Sequence, residues 1–224
     1  MDRTGKTAVL EKPDGRFVVR EAPVPEPEAG QILVRQELCG VCGTDMHVYH
    51  GHLPGISYPA VLGHEAVGIL DRIGVGVAED YTGRPIQEGD RVAVFGGLID
   101  KRCRYCSVLL EPSLCDAGLG CYGLGMPDAP LDFQGGYAQY IHLSKPDSVV
   151  LKMDVPAEAA VFFDPLAVGI HAVERFSNLP VGSTVVVQGA GAIGIASLVA
   201  ARERGAHRVI VIGAPQSRLE LALE

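Results

Sequence analysis

The sequence predicts an α/β chain: a mostly antiparallel β domain followed by the first part of a doubly wound sheet. Three observations carry that expectation. Over the first 150 residues, short β-prone runs alternate with Gly- and Pro-rich turns. From about Pro156 the texture becomes helical, in AEAAVFFD and LAVGIHAVERF. TVVVQ (184–188) is then a continuous apolar, β-branched run of the kind buried in a parallel sheet, and GAGAIG follows it directly.

Taken in order, the expected N-terminal strands are 6–10, 17–20, 32–38, 66–73, 91–95 and 137–142, with turn-formers such as PEPEAGQ and QEGDR between them. A helix is expected over 192–204 after the glycine run, a second parallel strand over 208–212, and the start of a further helix at RLELALE. The domains expected are 1–155 and 156–224. Only two strands fit after Gly182, whereas a dinucleotide-binding sheet has about six. The sequence is therefore read as the N-terminal part of a longer protein, inactive by itself.

The 224 residues are 47% hydrophobic, enough for a real core, and carry a formal charge of −8 with scattered basic residues. A nucleic-acid surface needs a basic patch, which this charge pattern lacks. The longest mild apolar run, Val185–Ala201, is cut by Gln188, glycines and Ser197, and a membrane span needs about 20 apolar residues. The N-terminus lacks the apolar stretch of a signal peptide. A cytoplasmic protein with neither nucleic-acid nor membrane partners is expected. Its six cysteines then read as thiolates or metal ligands rather than disulfides.

GAGAIG (189–194) matches G-x-G-x-x-G and sits between an expected strand and an expected helix, the context that the motif requires. Gly189 permits the turn, Gly191 lets backbone approach a pyrophosphate, and Gly194 lets helix and strand pack closely. The helix N-terminus offers free N–H groups to the phosphates. Gly189, Gly191, Ile193 and Gly194 are the candidate cofactor residues. NAD binders of this fold carry Asp or Glu at the end of the next strand, about 20 residues on; here that position is Gly213. Arg218, five residues later, is either a partner for a 2′-phosphate or a solvated surface charge. The balance favours NADP over NAD.

CGVCGTDMHVYH (39–50) concentrates two cysteines, one aspartate and two histidines. Cys42, His64 with Glu65 in VLGHEAVG, and Asp164 in FFDPLAVG are three separated clusters of metal-ligand types. Each has a plainer reading. Cys39 and Cys42 fit a packed or redox pair, His64 fits a core histidine, and Asp164, before Pro165, fits a helix cap.

Together, CGVCGTDMH, GHEAVGILDRIGVGV (63–77) and GAGAIG resemble the zinc-dependent medium-chain alcohol and polyol dehydrogenases, with weaker support from GDRV (89–92), GGYAQY (135–140) and DPLAVGIHA. The resemblance runs the length of the chain. It implies a GroES-like catalytic domain ahead of a Rossmann domain, and a hydride transfer between an alcohol and NAD(P), in which zinc lowers the pKa of a bound hydroxyl. It implies Cys42 and His64 as catalytic zinc ligands and Asp164 where members carry a third ligand. Glu65 lies beside the metal, and Cys39 is a packed residue. Asp45 holds a ligand histidine in its tautomer, and Thr44 and His47 occupy the proton-relay positions. His50 and His52 match nothing specific. A homo-oligomer acting on a small alcohol or polyol is implied for the whole protein.

Many members also hold a structural zinc at C-x2-C-x2-C-x7-C. Cys103 and Cys106 match its first two slots, but Leu109 and Ala117 fill the others, with Cys115 and Cys121 nearby. Either these four cysteines close a rearranged site or the lobe has lost its metal. Two other readings stay open: a zinc-free reductase of the same superfamily, and a non-catalytic protein that keeps the fold.

Overall fold

The structure is a computed structural model that describes residues 3–116, 120–125, 130–146, 148–176 and 179–223. It divides into two compact units, Met1–Val161 and Phe162–Glu224.

The first unit is built on two antiparallel sheets. One has the order β2–β1–β4, from β1 (Thr4–Leu10), β2 (Phe17–Pro23) and the short β4 (Ala60–Val61). The other has the order β7–β3–β5–β6–β8, from β3 (Ile32–Cys39), β5 (Glu65–Ile73), β6 (Arg91–Leu98), β7 (Tyr140–Leu143) and β8 (Ser148–Lys152). Helices α1 (Gly43–Tyr49), α2 (Arg104–Ser107) and α3 (Ala157–Ala160) lie between or after the strands. The six strands expected from sequence are all present, while β4, β8 and α1 were not anticipated. The core sits on the five-stranded sheet, where Ile32, Val34, Ala66, Leu70, Val92, Val94, Ile141 and Val150 pack around the buried ring of Tyr122.

One pairing places the site. Strands β3 and β5 run antiparallel with Cys39 opposite Ala66. The chain leaving β3 and the chain entering β5 therefore meet at the same sheet end. Cys42 lies three residues past Cys39, and His64 two residues before Ala66.

In the second unit, β9 (Thr184–Gln188) and β10 (Arg208–Ile212) pair in parallel. Helices α4 (Phe163–Glu174), α5 (Ala192–Glu203) and α6 (Gln216–Leu221) complete it. Val173, Ala200, Ala201 and Ala206 form its core, with Val185 and Val209 against them. The burial expected for TVVVQ on both faces is met on one face only, since Val186, Ile210 and Ile212 are exposed.

The long connection from β5 to β6 is tied to the sheet by Asp80, which is 5% exposed. Its Oδ1 accepts from the Thr82 N–H at 2.8 Å, the Thr82 hydroxyl at 2.7 Å and the Arg84 N–H at 3.0 Å. Its Oδ2 accepts from the Lys152 N–H in β8 at 2.9 Å. Burial alone would raise the pKa of this carboxyl, but the four donors hold it at about 2, below its ordinary 3.8.

A depressed folded-state pKa stabilises the fold above the unfolded value and loses that effect as pH falls through the folded value. Asp80→Asn should therefore destabilise the protein at neutral pH by about 1–3 kcal/mol, the cost of leaving buried donors poorly satisfied. The gap to wild type should close as pH falls from 3.8 toward 2. Urea unfolding across that range measures it, and a gap independent of pH would exclude the ionised carboxylate as the cause.

Candidate metal centre and nucleotide loop

Cys42 is the N-cap of α1, in extended conformation, and its Sγ accepts the Thr44 N–H at 3.3 Å. Asp45, three residues on, returns Oδ2 to the Cys42 N–H at 2.9 Å. This is a capping box with sulfur in place of the usual hydroxyl. The same short-range logic that starts the helix thus fixes the direction of the Cys42 thiol.

Asp45 is 3% exposed. Its Oδ1 accepts the Gly63 N–H at 3.3 Å and lies 3.7 Å from His64 Nδ1. His64 therefore presents Nδ1 to a carboxylate and Nε2 to Cys42 Sγ, 3.3 Å away. Carboxylates placed behind a histidine in this way orient it as a metal ligand. Burial would push the Asp45 carboxyl up, but His64 and the Cys42 N–H hold it below the usual carboxylate range. Burial also pushes the Cys42 thiol up.

Cys42, His64 and Glu65 bring one donor atom each within 4.8 Å of one another. Sulfur, imidazole nitrogen and carboxylate oxygen are the donor types that zinc takes. The buried Glu65 opens β5. Thr44 and His47, three residues apart on α1, share a helix face beside this cluster. Cys39 is packed: its Sγ fills the space beside Gly63 and Gly136, and burial pushes its thiol up to about 12. Asp164 lies in the first turn of α4, in the second unit, as the second helical residue rather than the N-cap, which is Phe162.

A second cluster gathers Asp100, Cys103, Cys106 and Cys115, again with donor atoms within 4.8 Å. Asp100 follows β6, and its Oδ1 accepts the N–H groups of Arg102 at 2.9 Å and Cys103 at 3.0 Å. Its own N–H reaches Cys115 Sγ at 3.4 Å. Those backbone donors hold the Asp100 carboxyl down to about 2. Burial followed by the neighbouring thiols pushes Cys106 up to about 12. The shifts are opposed within the cluster: backbone donors lower the Asp100 carboxyl and the Cys103 thiol, while Cys106 is raised.

Among the described residues, Asp100 rather than Cys121 gathers with Cys103, Cys106 and Cys115. Cys121 is elsewhere, pairing with Gly97 as an isolated bridge, with its Sγ against Gly96 on the side where His64 Cβ also packs. Asp100 was missed because only cysteines were counted. Starting one slot earlier gives D-x2-C-x2-C-x8-C, one residue longer in its last spacer than the pattern sought. Ala117 lies outside the described residues.

In the second unit GAGAIG forms the turn between β9 and α5. Gly189 has φ +117, a conformation that side chains disfavour, and a Cβ on Gly194 would sit 1.9 Å from Gly189 O. Gly191 is the N-cap of α5. A Cβ there would meet no atom nearer than Arg218 Nη1, at 4.0 Å. Space in front of Gly191, unpaired N–H groups at the helix start, exposed Ile193 and the Arg218 guanidinium together make a cradle that fits a phosphate group. Gly213 ends the strand region after β10, and a Cβ there would come 2.8 Å from Ala190 N and Cβ. Its small size is set by packing. Among the described residues, no helix is long and apolar enough to cross a membrane.

Residues 28–155 match the model of the alcohol dehydrogenase GroES-like domain family. The chain is 32% identical over 231 residues to sorbitol dehydrogenase from Gallus gallus, covering 100% of this chain and 60% of that protein. It superposes with a TM-score of 0.90 and 32% identity on an alcohol dehydrogenase from Thermotoga maritima, covering 99% of this chain and 61% of the other. A cobalt- and zinc-bound thermostable alcohol dehydrogenase from Pyrobaculum aerophilum gives 0.81 at 25% identity, covering 99% of this chain and 63% of the other. The chain spans about three-fifths of the length of each.

Asp45→Ala would leave the Cys42 and Gly63 N–H groups unpaired and His64 unsupported. We expect a stability loss of about 1–3 kcal/mol, and zinc affinity about 10–100-fold weaker, as found for such outer partners. Competition against a chromophoric chelator reads the second quantity. Unchanged zinc affinity would show that Asp45 serves the helix cap alone.

Proposed function

The chain belongs to the alcohol dehydrogenase GroES-like domain family, and on that footing we propose that it contributes the metal centre and part of the cofactor site of a zinc-dependent oxidoreductase. The reaction is hydride transfer between a secondary alcohol or polyol and NAD(P). The observation that carries this reading is the meeting of Cys42, His64 and Glu65 donors at one sheet end, with Asp45 behind His64.

A zinc ion held there would supply Lewis acidity, lowering the pKa of a coordinated hydroxyl toward neutrality. The chain's own residues do the rest. Cys42 and Glu65 bring negative charge to the ion, and His64 binds through Nε2 while Asp45 accepts at Nδ1. The Thr44 hydroxyl would accept a hydrogen bond from the alcohol and release its own proton, by way of the cofactor ribose, to His47, which is exposed on the same helix face and would pass it to solvent. In the second unit, Gly189, Gly191 and Gly194 seat the pyrophosphate at the α5 N-terminus. A second ion at Asp100, Cys103, Cys106 and Cys115 would be structural, because four protein donors leave no open position.

Alcohol-dependent reduction of NAD(P) by the metal-replete, full-length enzyme tests the reading. Cys42→Ser should abolish turnover and remove one zinc per chain while the protein still melts cooperatively. Asp100→Ala should remove the other zinc, whereas Cys121→Ser should keep both. Full turnover in Cys42→Ser would sink the proposal, and zinc loss in Cys121→Ser but not in Asp100→Ala would restore the all-cysteine set.

For the cofactor, we propose that Arg218 favours NADP. Its guanidinium stands over the glycine loop, and no carboxylate occupies the end of β10 to repel a 2′-phosphate. Arg218→Ala should lower the ratio of kcat/KM for NADP to that for NAD by about tenfold, the equivalent of one charge-assisted hydrogen bond of ~1.4 kcal/mol. An unchanged ratio would make Arg218 a surface charge.

A further inference from the structure

The C-terminal end of α1 carries a histidine cluster of which the dehydrogenase reading uses only His47. His47, His50 and His52 are all exposed. The turn that presents them is knit by backbone bonds: His50 N–H to Met46 O at 3.0 Å, Gly51 N–H to Val48 O at 2.9 Å, and His52 N–H to His47 O at 2.8 Å. Gly51 takes φ +67 to close it. The rings stand close, with centroids 6.2 Å apart for His47 and His52 and 5.6 Å for His50 and His52.

Two features make this more than a chance run of histidines. Metal–nitrogen bonds of about 2.0–2.1 Å put the centres of two imidazoles sharing a tetrahedral ion roughly 5 Å apart. The spacings of 6.2 Å and 5.6 Å from His52 to its two neighbours lie about an ångström or less beyond that value. Second, His50 Nδ1 pairs with Asp14 Oδ1 at 2.6 Å. Asp14 is itself held to the helix end by its N–H, which donates to Tyr49 O at 2.8 Å. A carboxylate bound to one imidazole nitrogen directs the lone pair of the other outward, as it does behind metal-binding histidines.

We propose that His47, His50 and His52 form a surface site for a first-row divalent cation, distinct from both sulfur-containing clusters, with Asp14 as a positioning residue. Imidazole donors without thiolate suit zinc, nickel, copper and cobalt over magnesium or calcium. The site goes beyond the proposed dehydrogenase function, but one consequence rests on it. An ion bound to His47 withholds that side chain from the proton path, so excess cation slows turnover.

The test is calorimetric titration of zinc-loaded protein, with both sulfur clusters filled, with nickel chloride alone. One nickel ion should bind per chain. His52→Ala and His50→Ala should each weaken binding tenfold or more, and Asp14→Ala about 10–100-fold. Absence of binding, or equal affinity in wild type and His52→Ala, would overturn the site. In parallel, nickel should inhibit alcohol oxidation by wild type and not by His52→Ala. Binding without inhibition would overturn the link to His47. A full-length enzyme inactive on every alcohol would refute the dehydrogenase reading and leave the calorimetric result to decide the site.

Discussion

The candidate metal centre depends on one buried carboxylate. Asp45 closes the capping box of α1, receives the Gly63 N–H from the loop before β5, and faces the rear nitrogen of His64. Cys42 and His64 are 22 residues apart in sequence, and the antiparallel pairing of β3 with β5 brings their backbones to one place. Asp45 converts that proximity into a defined angle between a sulfur and a nitrogen. It stays ionised despite burial because each of its neighbours is a donor or a potential cation. A group so placed acts on helix start, loop shape and ligand orientation together, and the three are coupled through its two oxygens.

The two donor clusters use the same chemistry in different surroundings. Cys42, His64 and Glu65 sit at the edge of the main core, with Glu65 buried. The cluster of Asp100, Cys103, Cys106 and Cys115 is organised instead by local turns, above all the two N–H groups that Asp100 accepts. One is a by-product of sheet pairing, the other of a single loop. A loop of that kind has little apolar burial of its own, so its order depends on what its donors hold.

Much of this was legible in the sequence. Strands 32–38, 66–73, 184–188 and 208–212 announced themselves by β-branched runs between turn-formers, and the structure extends the first two by a residue or so. The glycine loop was readable because its residues are required sterically, at Gly189 by φ and at Gly194 by contact. Other features were hidden for physical reasons. α1 is capped by a cysteine, which helix-start rules do not look for. β8 is short and earns its place only by pairing with β6. Asp100 is an acidic residue in a pattern searched for thiols. Asp164 fits a cap because proline follows it, yet the first turn of a helix tolerates proline and α4 begins two residues earlier than that cap implies, at Phe163.

The contact between Gly213 and Ala190 has a wider consequence. The position that would ordinarily tell one nicotinamide cofactor from the other is also the position where the strand end touches the glycine loop. Any side chain introduced there must first displace the backbone that shapes the phosphate cradle. A lineage, or an engineer, seeking to exchange cofactors could not do so through one substitution at 213 without disturbing the site meant to be retuned. Changes at 213 and 190 would be strongly non-additive. The easier route runs through the residues beyond the strand, where the Arg218 side chain already overhangs the loop. On the proposed reading, cofactor selectivity is free to drift on the α6 side and locked on the β10 side.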